Sequence, residues 1–151
     1  MFKRRRSISI GNKKRVLALD IGLKRIGVAY SDIFGISITP TDYIQNDENA
    51  IEKIKSLVNQ LNIGTIVVGL PLTLKGEEGE QARYTKEFAQ KIKENINDID
   101  IVFVDERFTT SLAEKQLKET TKKSKRKEKL DSLAAAYILQ TYLLSKDLKN
   151  G

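Results

Sequence analysis

Residues 15–31 read RVLALDIGLKRIGVAYS and carry the pattern from which the topology of this chain follows. Two short apolar runs, residues 16–20 and 26–31, lie on either side of Gly22, and a third apolar run follows at residues 36–44. Short apolar runs separated by glycine are typical of strands joined by tight turns. We therefore predict that the domain begins with a three-stranded antiparallel meander.

The rest of the chain alternates helix and strand patterns. A helix is predicted from Asp47, with Asn46 or Asp47 as its N-cap, because apolar residues recur at helical spacing as far as Leu61. Continuous apolar runs predict two buried parallel strands, and a helical stripe lies between them. The predicted strands are 65–70 and 100–104, the stripe is Tyr84, Phe88 and Ile92, and the last helices are 111–117 and 130–144.

This order of elements predicts an α/β fold with one mixed five-stranded sheet flanked by helices. The strand after the first helix should lie parallel to the first strand of the meander. Residues 15–146 are predicted to form a single domain, with a basic flexible arm at residues 1–14 and a short tail at 147–151. The sequence shows no internal repeat and no linker.

The composition excludes several classes of site. The 151 residues include no cysteine and no histidine, so disulfides, thiolate metal sites and Ser-His or Cys-His catalysis are all excluded. No apolar run is long enough to span a membrane, and none follows the basic N-terminus as a secretory signal requires. We expect a cytoplasmic protein whose chemistry, if it is an enzyme, depends on carboxylates, lysines or a carboxylate-bound metal.

The positive charge is concentrated in two places. The formal net charge is +7, and residues 1–15 alone carry seven basic and no acidic side chains. A second basic patch lies in residues 115–129. Basic patches of this kind bind nucleic-acid phosphates by counterion release, although each patch taken alone is equally typical of a solvated surface. The basic residues that crowd together in the second patch are Lys122, Lys123, Lys125, Arg126 and Lys127.

Acidic residues stand where the predicted strands and the last helix meet. Asp20 ends the first strand, Asp105 and Glu106 follow the last strand, and Asp131 lies early in the final helix. Carboxyl ends of parallel strands share one edge of a sheet, where ligands bind in α/β folds. Because side chains alternate along a strand, only one of Asp105 and Glu106 can share a site with Asp20. Arg107 could pair with the other acid or reach a phosphate.

Three carboxylates without histidine or cysteine suit hard cations, and Mg²⁺ or Mn²⁺ are the candidates. Two such ions can activate a water and stabilise the leaving oxygen during phosphodiester cleavage, without a protein general base. Each acid also has a plain structural explanation. Asp20 could cap a turn, and Asp131 could interact with the dipole at the start of its helix.

Four segments resemble, in order, the motifs of the YqgF/RuvX family. The resemblance runs from about residue 15 to residue 144 and implies an RNase H-like fold related to Holliday-junction resolvases. It also implies a nuclease that matures the 5′ end of pre-16S rRNA during ribosome biogenesis. The matching segments are LDIG (19–22) with RIGVA (25–29), VGLP (68–71), DERFTT (105–110) and KLD (129–131).

By this resemblance Asp20, Glu106 and Asp131 match the acidic positions that hold metal, with Glu106 favoured over Asp105. Ala134 stands where resolvases usually carry a second aspartate, which weakens the case for junction resolution. The residues expected to bind or shape the path of the nucleic acid are Arg25, Gly69, Pro71, Gln81, Arg83, Arg107, Thr109, Lys123, Lys125, Arg126 and Lys129.

Other functions compete with the RNA nuclease. One is a Holliday-junction or branched-DNA resolvase, and another is a non-catalytic RNA-binding factor in ribosome assembly. The segment Asp20-Ile21-Gly22 also resembles the first phosphate loop of actin-like ATPases, but those enzymes need two lobes. The expected partners are pre-16S rRNA or branched DNA, with contact to ribosomal particles, for a protein that is a monomer or a weak homodimer.

Overall fold

The structure is a computed structural model that describes residues 14–108 and 130–150, with side chains except at 108, 130, 131 and 147–150. The basic arm up to residue 13, the predicted helix 111–117 and the basic patch lie outside the described residues. The strands are β1 (Arg15–Ile21), β2 (Arg25–Ser31), β3 (Ile38–Pro40), β4 (Ile44–Gln45), β5 (Ile63–Leu70) and β6 (Asp100–Asp105). The helices are α1 (Ala50–Leu61), α2 (Glu80–Asn95) and α3 (Leu130–Asn150), with a single 3₁₀ turn at Glu106–Phe108.

One mixed sheet carries the fold, as predicted. Its order is β3-β2-β1-β5-β6, and β4 also pairs with β2. Strands β1 to β4 pair antiparallel, whereas β1 with β5 and β5 with β6 pair parallel. The sheet has five positions across but six strands, because the predicted third strand is broken in two. Pro40 ends β3, since proline has no N–H to donate to a neighbouring strand.

The two faces of the sheet are covered by different helices. On one face, large aliphatic side chains such as Leu17, Leu19 and Ile66 pack against α1 and α2. On the other face, small residues of the sheet meet small residues of α3. Short side chains on both sides let this helix approach the strands closely. The small residues of this second core cluster are Ala18, Ala29, Val67, Ala135 and Ala136.

Two details of the helices differ from the sequence predictions. Helix α1 begins at Ala50, and the residue before it, Asn49, makes no side-chain capping bond, so neither Asn46 nor Asp47 is the N-cap. The side chain of Asn46 instead donates to the carbonyl oxygen of Gly22 at 2.8 Å. The last helix was predicted to end at residue 144 but continues to Asn150. The predicted domain boundary at residue 146 therefore lies inside this helix.

Within residues 14–108 and 130–150, no helix is long and apolar enough to cross a membrane.

Candidate active site

Asp20 and Glu106 come together at the carboxyl edge of the parallel strands. Asp20 lies in β1 opposite Gly27 of β2, and alternation along β1 places it on the same face as Ala18, the face that α3 covers. Glu106 is the first residue after β6. The two half-buried carboxyl groups hydrogen-bond to each other. The structure therefore joins two of the three acids that the sequence singled out.

Gly69 makes room for this contact. Strand β5 lies between β1 and β6, so the backbones that carry the two acids are separated by about 10 Å, twice the spacing of neighbouring strands. A β-carbon on Gly69 would lie 2.6 Å from Oε1 of Glu106 and would also overlap the side chain of Ile138 in α3. Glu106 therefore reaches Asp20 across a position that only glycine leaves open.

The environment of the pair favours protonation. Burial raises the pKa of Asp20, and the bond from Glu106 opposes that rise. Burial, followed by the negative charge of Asp20, raises the pKa of Glu106 to about 7. No lysine or arginine of the described segments forms an ion pair with either carboxyl group. The pair thus holds a proton near neutral pH that a bound cation would displace.

The neighbouring acid, Asp105, takes no part in this pair. Its Oδ2 accepts from Nη2 of Arg107 at 2.7 Å, and its Oδ1 accepts from Nε of Arg107 at 3.1 Å. Hydrogen bonds and charge from Arg107 hold the pKa of Asp105 below its usual range. Of the two alternatives for Arg107, pairing with the second acid is the one that the structure shows. The alternation predicted that one acid would turn away, and that acid is Asp105.

Helix α3 begins beside the end of β1. The fully buried hydroxyl of Ser132 accepts a hydrogen bond at 3.0 Å from the backbone N–H of Val28, and Val28 lies opposite Leu19. The backbone of Asp131, one residue earlier, therefore lies near the strand that carries Asp20. The side chain of Asp131 lies outside the described residues.

Sequence reasoning missed Ser132. The strand break between β3 and β4 lies beside Val28, whose N–H has no partner in either edge strand. A buried N–H without a partner is costly, and the Ser132 hydroxyl satisfies it. The available signal was a small polar residue between Asp131 and the run of alanines in a helix that is otherwise apolar on its inner face.

A family model described as RuvX, Holliday junction resolvase, matches residues 14–145. The chain belongs to the RuvX family. The membership expected from four motifs is confirmed.

Two curated relatives of this RuvX-family chain share one name. A protein of Sulfurihydrogenibium sp. (strain YO3AOP1), named "Putative pre-16S rRNA nuclease", is 65% identical over 130 residues, which cover 85% of this chain and 89% of that relative. A protein of Fusobacterium nucleatum with the same name is 41% identical over 133 residues, which cover 86% of this chain and 96% of the relative.

Solved resolvases share the fold. The Holliday junction resolvase of fowlpox virus aligns with a TM-score of 0.54 at 14% identity, covering 87% of this chain and 99% of that one. The same resolvase with Holliday junction DNA gives a TM-score of 0.50 at 13% identity, covering 87% of this chain and 98% of that one. At these identities the similarity concerns architecture, and it confirms the expected RNase H-like α/β fold.

The residues expected to bind nucleic acid are only partly described. Arg25 is exposed at the start of β2, at the same edge as Asp20, and its guanidinium lies 5.4 Å from the centre of the Tyr43 ring. Gln81 and Arg83 are exposed in the first turn of α2. Pro71 follows β5 directly, and Arg107 is paired with Asp105. Thr109, Lys123, Lys125, Arg126 and Lys129 lie outside the described residues.

The donor set fits a hard divalent cation. The chain has no histidine or cysteine, and Asp20 and Glu106 offer only carboxylate oxygens. Within residues 14–108 and the described side chains of α3, three acidic residues do not cluster, so this pair supplies part of a coordination sphere. Mg²⁺ is commonly held by one or two carboxylates and completed by water and phosphate oxygens.

Proposed function

We propose that this RuvX-family protein is a metal-dependent nuclease that hydrolyses phosphodiester bonds and acts on the 5′ end of pre-16S rRNA. The observation that carries the proposal is the carboxyl pair of Asp20 and Glu106, which meets across Gly69 at the ligand-binding edge of an RNase H-like sheet. The substrate class is supported by relatives that are 65% and 41% identical and are named as pre-16S rRNA nucleases.

Asp20, Glu106 and Asp131 would hold Mg²⁺ or Mn²⁺. Asp20 and Glu106 would have to give up their shared proton to act as ligands, and the charge of a bound cation would offset their mutual repulsion. Two such ions, if held there, would supply the activation of a water and the stabilisation of the leaving oxygen. No histidine is needed for this chemistry, which agrees with the composition of the chain.

The chain's own residues shape the site around these ligands. Gly69 keeps the space between Asp20 and Glu106 open, and Ile138 closes it from the α3 side. Ser132 fixes the start of α3 on β2, which sets the height of the backbone of Asp131 relative to Asp20. Arg25, on the same edge, is placed to contact a phosphate of the nucleic-acid backbone.

Branched DNA is the second candidate substrate, because the family model is described as a Holliday junction resolvase. Ala134 stands where resolvases usually carry a further aspartate, which favours RNA as the first choice. A non-catalytic assembly factor is the alternative outside the enzyme class, and the paired acids favour the nuclease over it.

The test is cleavage of a labelled pre-16S rRNA 5′ leader beside a labelled four-way DNA junction, with and without Mn²⁺. The proteins are the wild type, Asp20→Asn, and Asp98→Asn as a matched control on an exposed acid at the opposite edge of the sheet. We expect Mn²⁺-dependent cleavage of the leader by the wild type and the control but not by Asp20→Asn.

Cleavage of the junction alone would transfer the assignment to branched DNA. Salt-sensitive binding without cleavage of either substrate would contradict the nuclease and support the assembly factor.

A further inference from the structure

Leu74 projects from the loop that follows β5. Its side chain is 95% exposed, more than any other large apolar side chain in the described part of the chain. The loop spans residues 71–79 and begins directly after β5, the strand that separates Asp20 from Glu106. Leu74 is therefore presented to solvent at the edge of the sheet where the two acids meet.

The loop that carries Leu74 is held by its own hydrogen bonds. The N–H of Gly76 donates to the carbonyl of Thr73 at 2.8 Å, and the N–H of Thr73 donates to the carbonyl of Glu77 at 2.9 Å. The hydroxyl of Thr73 also accepts from the N–H of Glu77 at 3.1 Å. Gly76 closes this turn with a φ of 84°, a conformation that L-residues rarely adopt.

Arg107 ties the same loop to the acid pair. Its Nη1 donates to the carbonyl oxygen of Leu74 at 3.2 Å, and its guanidinium lies so close to Gly76 that a β-carbon there would be 3.2 Å from Nη2. Asp105 fixes the guanidinium in turn. Because Arg107 follows Glu106 in the chain, this brace sets the position of Leu74 relative to the carboxyl pair.

The chemistry of the loop points to bases rather than phosphates. An isolated exposed leucine needs no explanation, but this one lies on a braced turn beside a candidate active site. The loop carries one lysine against two glutamates, Glu77 and Glu78, and Glu78 pairs with Lys86 of α2. Without excess positive charge, the loop offers an apolar side chain, and such side chains can insert between bases and unstack them.

We propose that Leu74 is a wedge that inserts into a base step of the RNA beside the phosphodiester that lies at the Asp20–Glu106 site. This inference rests on the proposed nuclease function and adds a specificity-determining residue to it. Steps at helix junctions unstack at the lowest cost, so the wedge selects a junction over a continuous helix. Asp105 and Arg107 are positioning residues that hold the wedge.

The experiment uses a pre-16S rRNA leader with 2-aminopurine, a base analogue whose fluorescence rises on unstacking, placed next to the cleavage step. Binding is measured without divalent metal for the wild type, Leu74→Ala, Leu74→Met and Ile36→Ala. Ile36 is the matched control because it is 81% exposed and lies in the β2–β3 turn, at the opposite edge of the sheet.

We expect the fluorescence to rise with the wild type, Leu74→Met and Ile36→Ala, and not with Leu74→Ala. Leu74→Ala should also weaken binding about tenfold without changing the salt slope, because it removes apolar contact and no phosphate contact. Gly76→Ala should reproduce this loss, since it distorts the braced turn without altering the wedge itself. A four-way DNA junction with the same label shows whether the insertion is specific to RNA.

Equal fluorescence for Leu74→Ala and the wild type would overturn the wedge, even if the wild type cleaves the leader when Mn²⁺ is added. Unstacking that depends on Leu74 but occurs without any cleavage by the wild type would retain the wedge and contradict the nuclease. Insertion into the DNA junction alone would overturn the assignment to RNA.

Discussion

The side chain of Glu106 occupies the space that a β-carbon on Gly69 would need, with Oε1 only 2.6 Å from that position. Gly69 lies in β5, between β1 with Asp20 and β6, which Glu106 follows. Because Gly69 has no side chain, the Glu106 side chain can cross β5 and reach Asp20. The VGLP segment is thus explained by packing: its glycine is the gap through which two carboxyl groups meet.

Gly69→Ala is expected to separate the acid pair. The added methyl group overlaps both Glu106 and Ile138, so the Glu106 carboxyl must move away from Asp20. We expect at least a roughly tenfold weaker affinity for Mn²⁺, measured by calorimetric titration, and slower cleavage of the leader. Gly79→Ala is the matched control, because its new methyl would make only an ordinary contact, 3.7 Å from Thr73. Equal affinities for the two variants would contradict the role given to Gly69.

The metal-free protein should lose stability as the pH rises from about 4.5 to about 7. Burial and the charge of Asp20 raise the pKa of Glu106 to about 7, above the usual value of 4.5, so the native state keeps a proton that the unfolded state loses in this range. The stabilisation that Glu106 contributes is fully present below its pKa in the unfolded chain. It is lost as the pH rises through its pKa in the folded protein. Because Glu106 is only half-buried, we expect a loss on the order of 1–2 kcal/mol.

Urea denaturation of wild type and Glu106→Gln between pH 4 and pH 8 measures this linkage. The free energy of unfolding of Glu106→Gln should rise relative to that of the wild type as the pH rises, because the amide does not ionise. A difference between the two proteins that stays constant over the whole range would exclude the raised pKa.

Ser132→Ala is expected to destabilise the fold. The substitution leaves the buried N–H of Val28 without an acceptor, which costs about 1–3 kcal/mol in free energy of unfolding. Thr141→Ala on the same helix is the control, because its hydroxyl donates only to the carbonyl of Tyr137 within α3. Equal midpoints for both variants in urea would show that the Ser132 contact does not hold α3 on the sheet.

Removal of residues 1–13 should weaken RNA binding and flatten its dependence on salt. These residues carry five basic and no acidic side chains, and each phosphate contact that is lost reduces the slope by nearly one unit. The truncation keeps Lys14, whose side chain packs over Gly64. Equal slopes for the full and truncated chains, measured by fluorescence anisotropy, would show that the arm does not contact the RNA.

Much of the architecture was predictable because it depends on the spacing of apolar residues and on the order of strands and helices along the chain. The runs at 16–20 and 65–70 gave the two central strands, and the stripe of Tyr84, Phe88 and Ile92 gave helix α2. The rule that parallel strands share a carboxyl edge brought Asp20 and the Asp105–Glu106 pair to one place. The local sequence suffices for these features because the apolar pattern of each segment directly reflects which of its side chains are buried.

The remaining features depend on contacts between distant segments. The break at Pro40 divides the third strand, and the partner of the buried Val28 N–H is a serine about a hundred residues away. The choice between Asp105 and Glu106 required knowing that Val104 faces α3. The sequence could say that one acid turns away but not which one, since both faces of β6 carry apolar side chains.

Metal binding by Glu106 is tested by the rate at which Glu106→Gln cleaves the pre-16S rRNA leader across a titration of Mn²⁺. Glu94→Gln is the matched control, because Glu94 is an exposed glutamate near the end of α2 at the opposite edge of the sheet. We expect a rate more than about 100-fold below wild type for Glu106→Gln at every Mn²⁺ concentration, and an unchanged rate for the control. If Glu106→Gln cleaved the leader at the wild-type rate, Glu106 would not be a metal ligand and the proposed site would be wrong.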